Sequence, residues 1–350
     1  LKFLKRKRFW GLLLAAGLLI YCFYDFDFHS VLAALASLKI GYLIPLLFLE
    51  AFIALVRTLR LKIIIDPVKN VGVVHLYPIF CIGMMSNLLM PYLTGQVARL
   101  YILSKKTRLK KTFVFTTTVI EVLFDGIALI GIVLLVSLFR VLPSQFKIWH
   151  FVLLAVIVIS ATILLFILSR SHGAGHDIVQ RFTAHLPAAT RKKIDDIKAS
   201  FFSGLEFLRS TRHLFVVSAL SVFSWVAQAA LVYLLVLAFR FSISLWGAVV
   251  VTAVVTIMMT VVLSPWNIGT FQGATVAALK PFGIAKPEAL AFSFLLHIFV
   301  YLPPILLGAL FSLKEGLTFK ELKGEGEKGV DELEAEKSIP DRSEIAEAQN

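Results

Sequence analysis

The sequence predicts an all-α, polytopic membrane protein: six full spans plus two re-entrant broken-helix hairpins, arranged as an inverted repeat. Three observations predict it. Hydrophobic residues make up 58% of the 350-residue chain and charged ones 16%, with a mean hydropathy of +0.85, whereas a soluble domain is about 45–50% apolar and about 25% charged. The excess is gathered into blocks of roughly 20 residues, the length a helix rising 1.5 Å per residue needs to cross about 30 Å of hydrocarbon. Two further blocks are broken at matching places in the two halves of the chain by a proline among polar residues.

The elements follow in order. Lys2, Lys5, Arg6, Lys7 and Arg8 precede an apolar block at 9–26. It ends in Tyr-Asp-Phe-Asp-Phe-His, without a small-residue cleavage site, and so reads as an uncleaved first span. The other full spans fall near 38–56, 112–139, 148–169, 213–239 and 287–313. The broken blocks run about 72–103 and 245–280. The first break reads Ser86-Asn87-Leu88-Leu89-Met90-Pro91-Tyr92-Leu93-Thr94-Gly95-Gln96, the second Leu263-Ser264-Pro265-Trp266-Asn267-Ile268-Gly269-Thr270-Phe271-Gln272. Proline lacks an N–H and clashes with the preceding turn, so each helix kinks or stops there. About ten residues remain between Pro91 and Ser104-Lys105-Lys106, and ten helical residues cover roughly 15 Å, half a bilayer. A hairpin that turns at mid-depth satisfies that length, provided its open backbone is buried in protein or lines a wet cavity.

Charge supports this topology. With the N-terminus inside and both broken blocks re-entrant, 29 of the 35 basic residues fall inside, leaving Lys39, Arg140, Lys147, Arg240, Lys280 and Lys286 outside. That split follows the positive-inside rule. The expected location is therefore a bacterial or archaeal cytoplasmic membrane with both termini cytoplasmic. The net charge of +13 is read as topology control and attraction to anionic lipid, not as a nucleic-acid surface. Residues 1–315 form the membrane domain, with a first repeat at about 9–139 and a second at about 148–313. The cytoplasmic loop 170–212 carries Ile194, Ile197, Phe201, Leu205 and Leu208 at three- and four-residue steps, an amphipathic helix lying on the inner surface. Residues 316–350 are polar and acidic and read as a disordered cytoplasmic tail.

Ionisable residues inside spans are costly and mark function. Glu121 and Asp125 lie one helical turn apart on one face of the third span. Both stay charged only beside a cation, for which Arg99 at the exit of the first hairpin is the expected partner. Asn87, Gln96, Asn267 and Gln272 stand at the hairpin tips. Each returning half-helix points its N-terminal N–H groups at mid-membrane, where they suit a phosphate. Glu50 sits in the second span, and Arg57 and Arg60 at its inner end read as anchors that snorkel to the interface. His297 in the last span is within reach of Gln272. Cys22 and Cys81 fall inside apolar blocks and form no disulfide or metal pattern. His172 and His176, four apart, lack further ligands. No cofactor is expected: the chain has no phosphate-binding G-x-x-x-x-G-K-[ST] loop, no H-E-x-x-H and no G-x-S-x-G.

At these residues the chain resembles the lysylphosphatidylglycerol synthase transmembrane region, also called the flippase-like membrane proteins. The first signature, an Asn, a Pro, then Gly-Glu and Arg, is matched by Asn87, Pro91, Gly95, Gln96 and Arg99. The Glu-x-x-x-Asp element is matched by Glu121 and Asp125, and the basic end of the second span by Arg60. Pro265, Gly269, Phe271, Gln272 and His297 match the late elements, and Asn267 lies among them. The Gly-Thr-Phe-Gln form resembles the branch that includes proposed hopanoid and glycolipid transporters. Gln96 and Gln272 stand where the family often has Glu, and neutral amides carry no protons. The resemblance implies translocation of a polar or anionic lipid headgroup, with phospholipid, glycolipid or isoprenoid lipid as partner and no catalytic activity. The aminoacyl-transferring domain of the resistance factors that share this region does not occur in these residues. Lipid- or polysaccharide-synthesis enzymes are the expected protein partners.

Two other readings differ in class. A membrane transferase using polyprenyl-phosphate sugars would rest on Asp25 and Asp27, an acidic pair at the outer end of the first span. An accessory subunit would carry a synthase on its tail or inner loop and move no lipid.

Overall fold

A computed structural model describes residues 28–90, 93–138, 201–261 and 267–337, with parts of 156–163 and 195–200. Among the described residues the chain is helical and contains no strand. Ten helices organise it: α1 (Phe28–Ala36), α2 (Leu43–Ile65), α3 (Val73–Leu89), α4 (Leu93–Thr107), α5 (Lys111–Leu138), α6 (Thr211–Ala238), α7 (Leu245–Val261), α8 (Thr270–Leu279), α9 (Lys286–Lys314) and α10 (Phe319–Lys337).

Four of these segments, Ile40–Ile65, Lys111–Leu135, Thr211–Ala238 and Lys286–Lys314, are long and apolar enough to cross a membrane. They coincide with four of the expected spans. Two others, 9–26 and 148–169, lie wholly or largely outside the described residues, as do Pro91 and Pro265. The broken blocks do fall into helix–break–helix units. Met90 leaves the helix with ψ 140°, because the residue before a proline is pushed out of the helical region. Gly95 then returns α4 against α3: a Cβ there would lie 2.6 Å from Asn87 Cα and from the Ser86 carbonyl oxygen. At the second break Asn267 and Gly269 take φ of 57° and 83°, the left-handed region that Asn and Gly tolerate best.

The helix contacts come in pairs related by exchanging α2 with α6, α3 with α7, α4 with α8 and α5 with α9. Helices α2 and α6 pack on each other; α3–α4 is matched by α7–α8, α4–α5 by α8–α9, α3–α9 by α7–α5, and α2–α9 by α6–α5. The last span of each half therefore packs on the first arm of the other half's broken unit. Small residues permit the closest approach. Gly308 of α9 lies against α3, where a Cβ would meet Met85 Cβ and, at 2.7 Å, the Cys81 carbonyl oxygen. Between helices in lipid, packing of this kind supplies much of the cohesion that the hydrophobic effect supplies in water.

Two outer segments differ from expectation. The acidic tail, expected to be disordered, forms α10 over Phe319–Lys337, packed along α4. Thr318 and Glu321 cap it reciprocally: Glu321 Oε2 accepts from the Thr318 N–H and hydroxyl at 2.9 Å, and the Glu321 N–H donates to Thr318 Oγ1 at 3.2 Å. Those Thr318 donors hold the Glu321 carboxyl below its ordinary range. Composition concealed the narrow apolar stripe that docks α10. It consists of buried Leu322 with Gly326 and Gly329, whose missing side chains admit Thr94 and Val97 of α4. In the basic loop, residues 170–194 and Ile197 lie outside the described residues. Leu205 and Leu208, expected on the membrane surface, are buried with Ile64, Ile120, Phe124, Phe207 and Val217. That end of the loop packs on the helices, because α2, α5 and α6 leave an apolar recess there.

Candidate functional site: a buried ionic cluster and a latched helix break

Helices α2, α4, α5 and α6 converge on one charged cluster. From α2, Arg60 holds Asp125 of α5 with both terminal nitrogens: Nη1 donates to Oδ1, and Nη2 donates to Oδ2 at 3.0 Å. Nη1 also donates to Ser221 Oγ of α6 at 2.9 Å. From α4, Arg99 Nη2 donates to Glu121 Oε2 at 2.7 Å, and Glu121 Oε1 lies 3.7 Å from Arg60 Nη2. Two guanidinium groups face two carboxylates, so the cluster is neutral as a whole. That is the condition under which charges tolerate burial. Burial is deep: Arg60 is 2% exposed and Glu121 4%. The Arg99 stem crosses Gly83, where a Cβ would lie 2.7 Å from its Cγ, and its guanidinium sits 5.2 Å from the Phe80 ring centroid, in cation–π range.

This corrects one expectation and extends another. Arg60 does not snorkel. It continues the buried stripe of Ile53, Val56 and Ile64 on α2, and α6 packs over that face. Arg99 is the partner of Glu121 alone, and Asp125 belongs to Arg60. Ser221 was not foreseen, since a serine in an apolar span gives no sequence signal until its neighbour is known. Gln96 is exposed on α4 and Asn87 is half-buried on α3.

A second group fixes the later break to α9. Gln272 is 3% exposed; its Oε1 accepts from the Gly269 N–H at 2.8 Å and its Nε2 lies 3.1 Å from His297 Nδ1. Asn267 Nδ2 donates to the Tyr301 hydroxyl at 2.6 Å. The His297 ring stacks on Phe271 at 4.6 Å and meets Tyr301 edge-on at 4.3 Å. The amides expected at this tip are thus occupied in tying a left-handed turn to a span. Gln272→Leu leaves the buried Gly269 N–H without its acceptor, at a cost of about 1–3 kcal/mol, and takes the amide away from His297 Nδ1. Thermal unfolding in detergent should show the loss, with Gln272→Glu, which keeps the cap, losing less.

The profile of the family described as the lysylphosphatidylglycerol synthase TM region matches residues 8–308. The chain belongs to this family. It is also 25% identical over 264 residues to a protein of Methanothermobacter thermautotrophicus described as a UPF0104 membrane protein, covering 71% of this chain and 78% of that one. The family match includes both breaks and the whole ionic cluster. Every member of the latched second break, from Asn267 to Tyr301, falls within it as well.

Proposed function

We propose that this chain is a lipid transporter of the flippase-like kind, moving a polar or anionic lipid headgroup between leaflets while the acyl or isoprenoid tails stay in the bilayer. The observation that carries the reading is the exchange-related pairing of the two helix–break–helix units around a buried charged core. Paired repeats with broken helices are the arrangement that transporters rock about a fixed central site. In this reading both units are re-entrant and the two repeats are inverted in the membrane. Both termini are cytoplasmic, a placement that the distribution of basic residues supports. Desolvating a charged headgroup in hydrocarbon is prohibitive without polar partners, and a polar route between the halves removes most of that cost.

Within the route, Arg99 is the group best suited to meet a phosphate, being more exposed than Arg60 and tied to a single carboxylate. Arg60, Asp125 and Ser221 hold α2, α5 and α6 in register, and Glu121 joins Arg99 to them. The chain performs no covalent chemistry; its partners are membrane lipids and, beyond them, enzymes that make or use those lipids. Purified protein in vesicles tests this. Fluorescent headgroup-labelled lipid is bleached from outside with an impermeant reductant. Bleaching beyond the outer-leaflet half in wild type, reduced at least tenfold in rate by Arg99→Ala, is expected; equal rates in both would remove Arg99 from the route.

A further inference from the structure

The ionic cluster leaves a second charged pair unused. Glu50 and Arg57, both on α2, line a partly open cavity of about 200 Å³ between helices of both halves. That is far more than the ~10–15 Å³ a single water needs. Gln228 and Trp225 of α6, Thr252 and Thr256 of α7 and Tyr301 of α9 contribute the other polar groups, and the remaining walls are apolar. Tyr301 also accepts from Asn267, so the cavity abuts the latched break.

Its polar atoms are short of partners. Glu50 is 3% exposed and Trp225 8%. Gln228 reaches the Glu50 carboxylate, yet Glu50 Oε2, Arg57 Nε and Trp225 Nε1 have no hydrogen-bond partner among the described residues. Buried polar atoms of this kind are rare, because each costs about 1–3 kcal/mol. The three residues that carry these atoms all line one cavity. Glu50 and Arg57 are seven residues apart, two turns and roughly 10 Å along the helix. They face the cavity together without forming an ion pair within bonding distance. An acid and a base held apart in this way complement a ligand that carries an anion at one end and hydrogen-bond donors at the other.

We infer that this cavity is the headgroup-binding site, and that it selects a phosphate-bearing headgroup capped by N–H or O–H donors. The phosphate lies toward Arg57 and the donor cap on Glu50, with Gln228 beside them. The inference rests on the transport reading and specifies its substrate class. An ammonium cap and a hydroxyl cap share the chemistry that Glu50 recognises. A quaternary ammonium, which has no N–H, offers Glu50 a charge but no hydrogen bond.

Binding of short-chain lipids to the full chain in detergent, followed by intrinsic tryptophan fluorescence, tests the inference. The probes are dihexanoyl phosphatidylethanolamine, phosphatidylglycerol and phosphatidylcholine. At least one of the first two should bind tenfold or more tighter than the third, and which one does so identifies the cap. Glu50→Leu should abolish that preference, and an unfolding temperature by circular dichroism close to that of the wild type shows that the variant is folded. Glu50→Gln should abolish it for the ammonium lipid and retain most of it for the hydroxyl lipid. Arg57→Gln should weaken all three. Equal affinity for the three lipids in wild type, or a preference that survives Glu50→Leu, overturns the assignment. Selective binding without lipid movement in vesicles would keep the site and remove the transporter; lipid movement without selectivity would do the reverse.

Discussion

Asp125→Asn is expected to destabilise the protein by up to about 3 kcal/mol, the low end of the cost of breaking a buried pair, because the Asp125 side chain is 26% exposed. Arg60 is 2% exposed, and the substituted amide keeps one acceptor oxygen but no charge, leaving Glu121, 3.7 Å away, as the nearest anion. Arg60→Lys should do nearly as much damage, because one ammonium does not reproduce a guanidinium that holds both carboxylate oxygens and a hydroxyl at once. The informative variant is the pair Arg60→Met with Asp125→Leu. Replacing both charges with apolar groups of similar volume removes the desolvation cost together with the attraction, and is often neutral or stabilising. The double variant should therefore unfold, by circular dichroism in detergent, close to the wild-type temperature, while Asp125→Asn unfolds well below it. If lipid movement also returns in the double variant, the Arg60–Asp125 pair is structural, as proposed above. If stability returns and movement does not, the pair belongs to the route itself.

Gly308→Leu is expected to loosen the contact between the two halves. The α3–α9 contact joins the first half's broken unit to the second half's last span, and at Gly308 any side chain meets the Cys81 carbonyl and Met85. Backbone cannot yield as a flexible side chain can. The helices must separate, at a cost of about 1–3 kcal/mol for overpacking, less a gain of roughly 1 kcal/mol from replacing glycine in a helix. Gly131 of α5 is the matched control, because a Cβ there meets nothing within 4 Å. Gly131→Leu should leave the unfolding temperature unchanged or slightly raised. Equal losses at the two glycines would mean that the close α3–α9 approach does not hold the halves together.

The sequence by itself determined the class of this protein. A block of about 20 apolar residues has few fates other than a spanning helix, and α2, α5, α6 and α9 lie where hydropathy put them. Proline marked both helix breaks, since its effect on the chain is local. Glu121 and Asp125 were legible as one functional face because helical periodicity alone places a four-residue step on one side. Pairing between helices was another matter. Arg60 and Asp125 are 65 residues apart, and Arg60 and Ser221 161. Which arginine meets which acid depends on how each helix is rotated about its axis and on which neighbour covers it, and periodicity is silent on both. The same limit hid the docking of α10, where absent side chains at Gly326 and Gly329 matter more than the charges around them, and the meeting of Glu50, Arg57 and Trp225 at one cavity. Only the tertiary structure decided these, because a charge in a membrane takes its meaning from the one or two groups that pack against it.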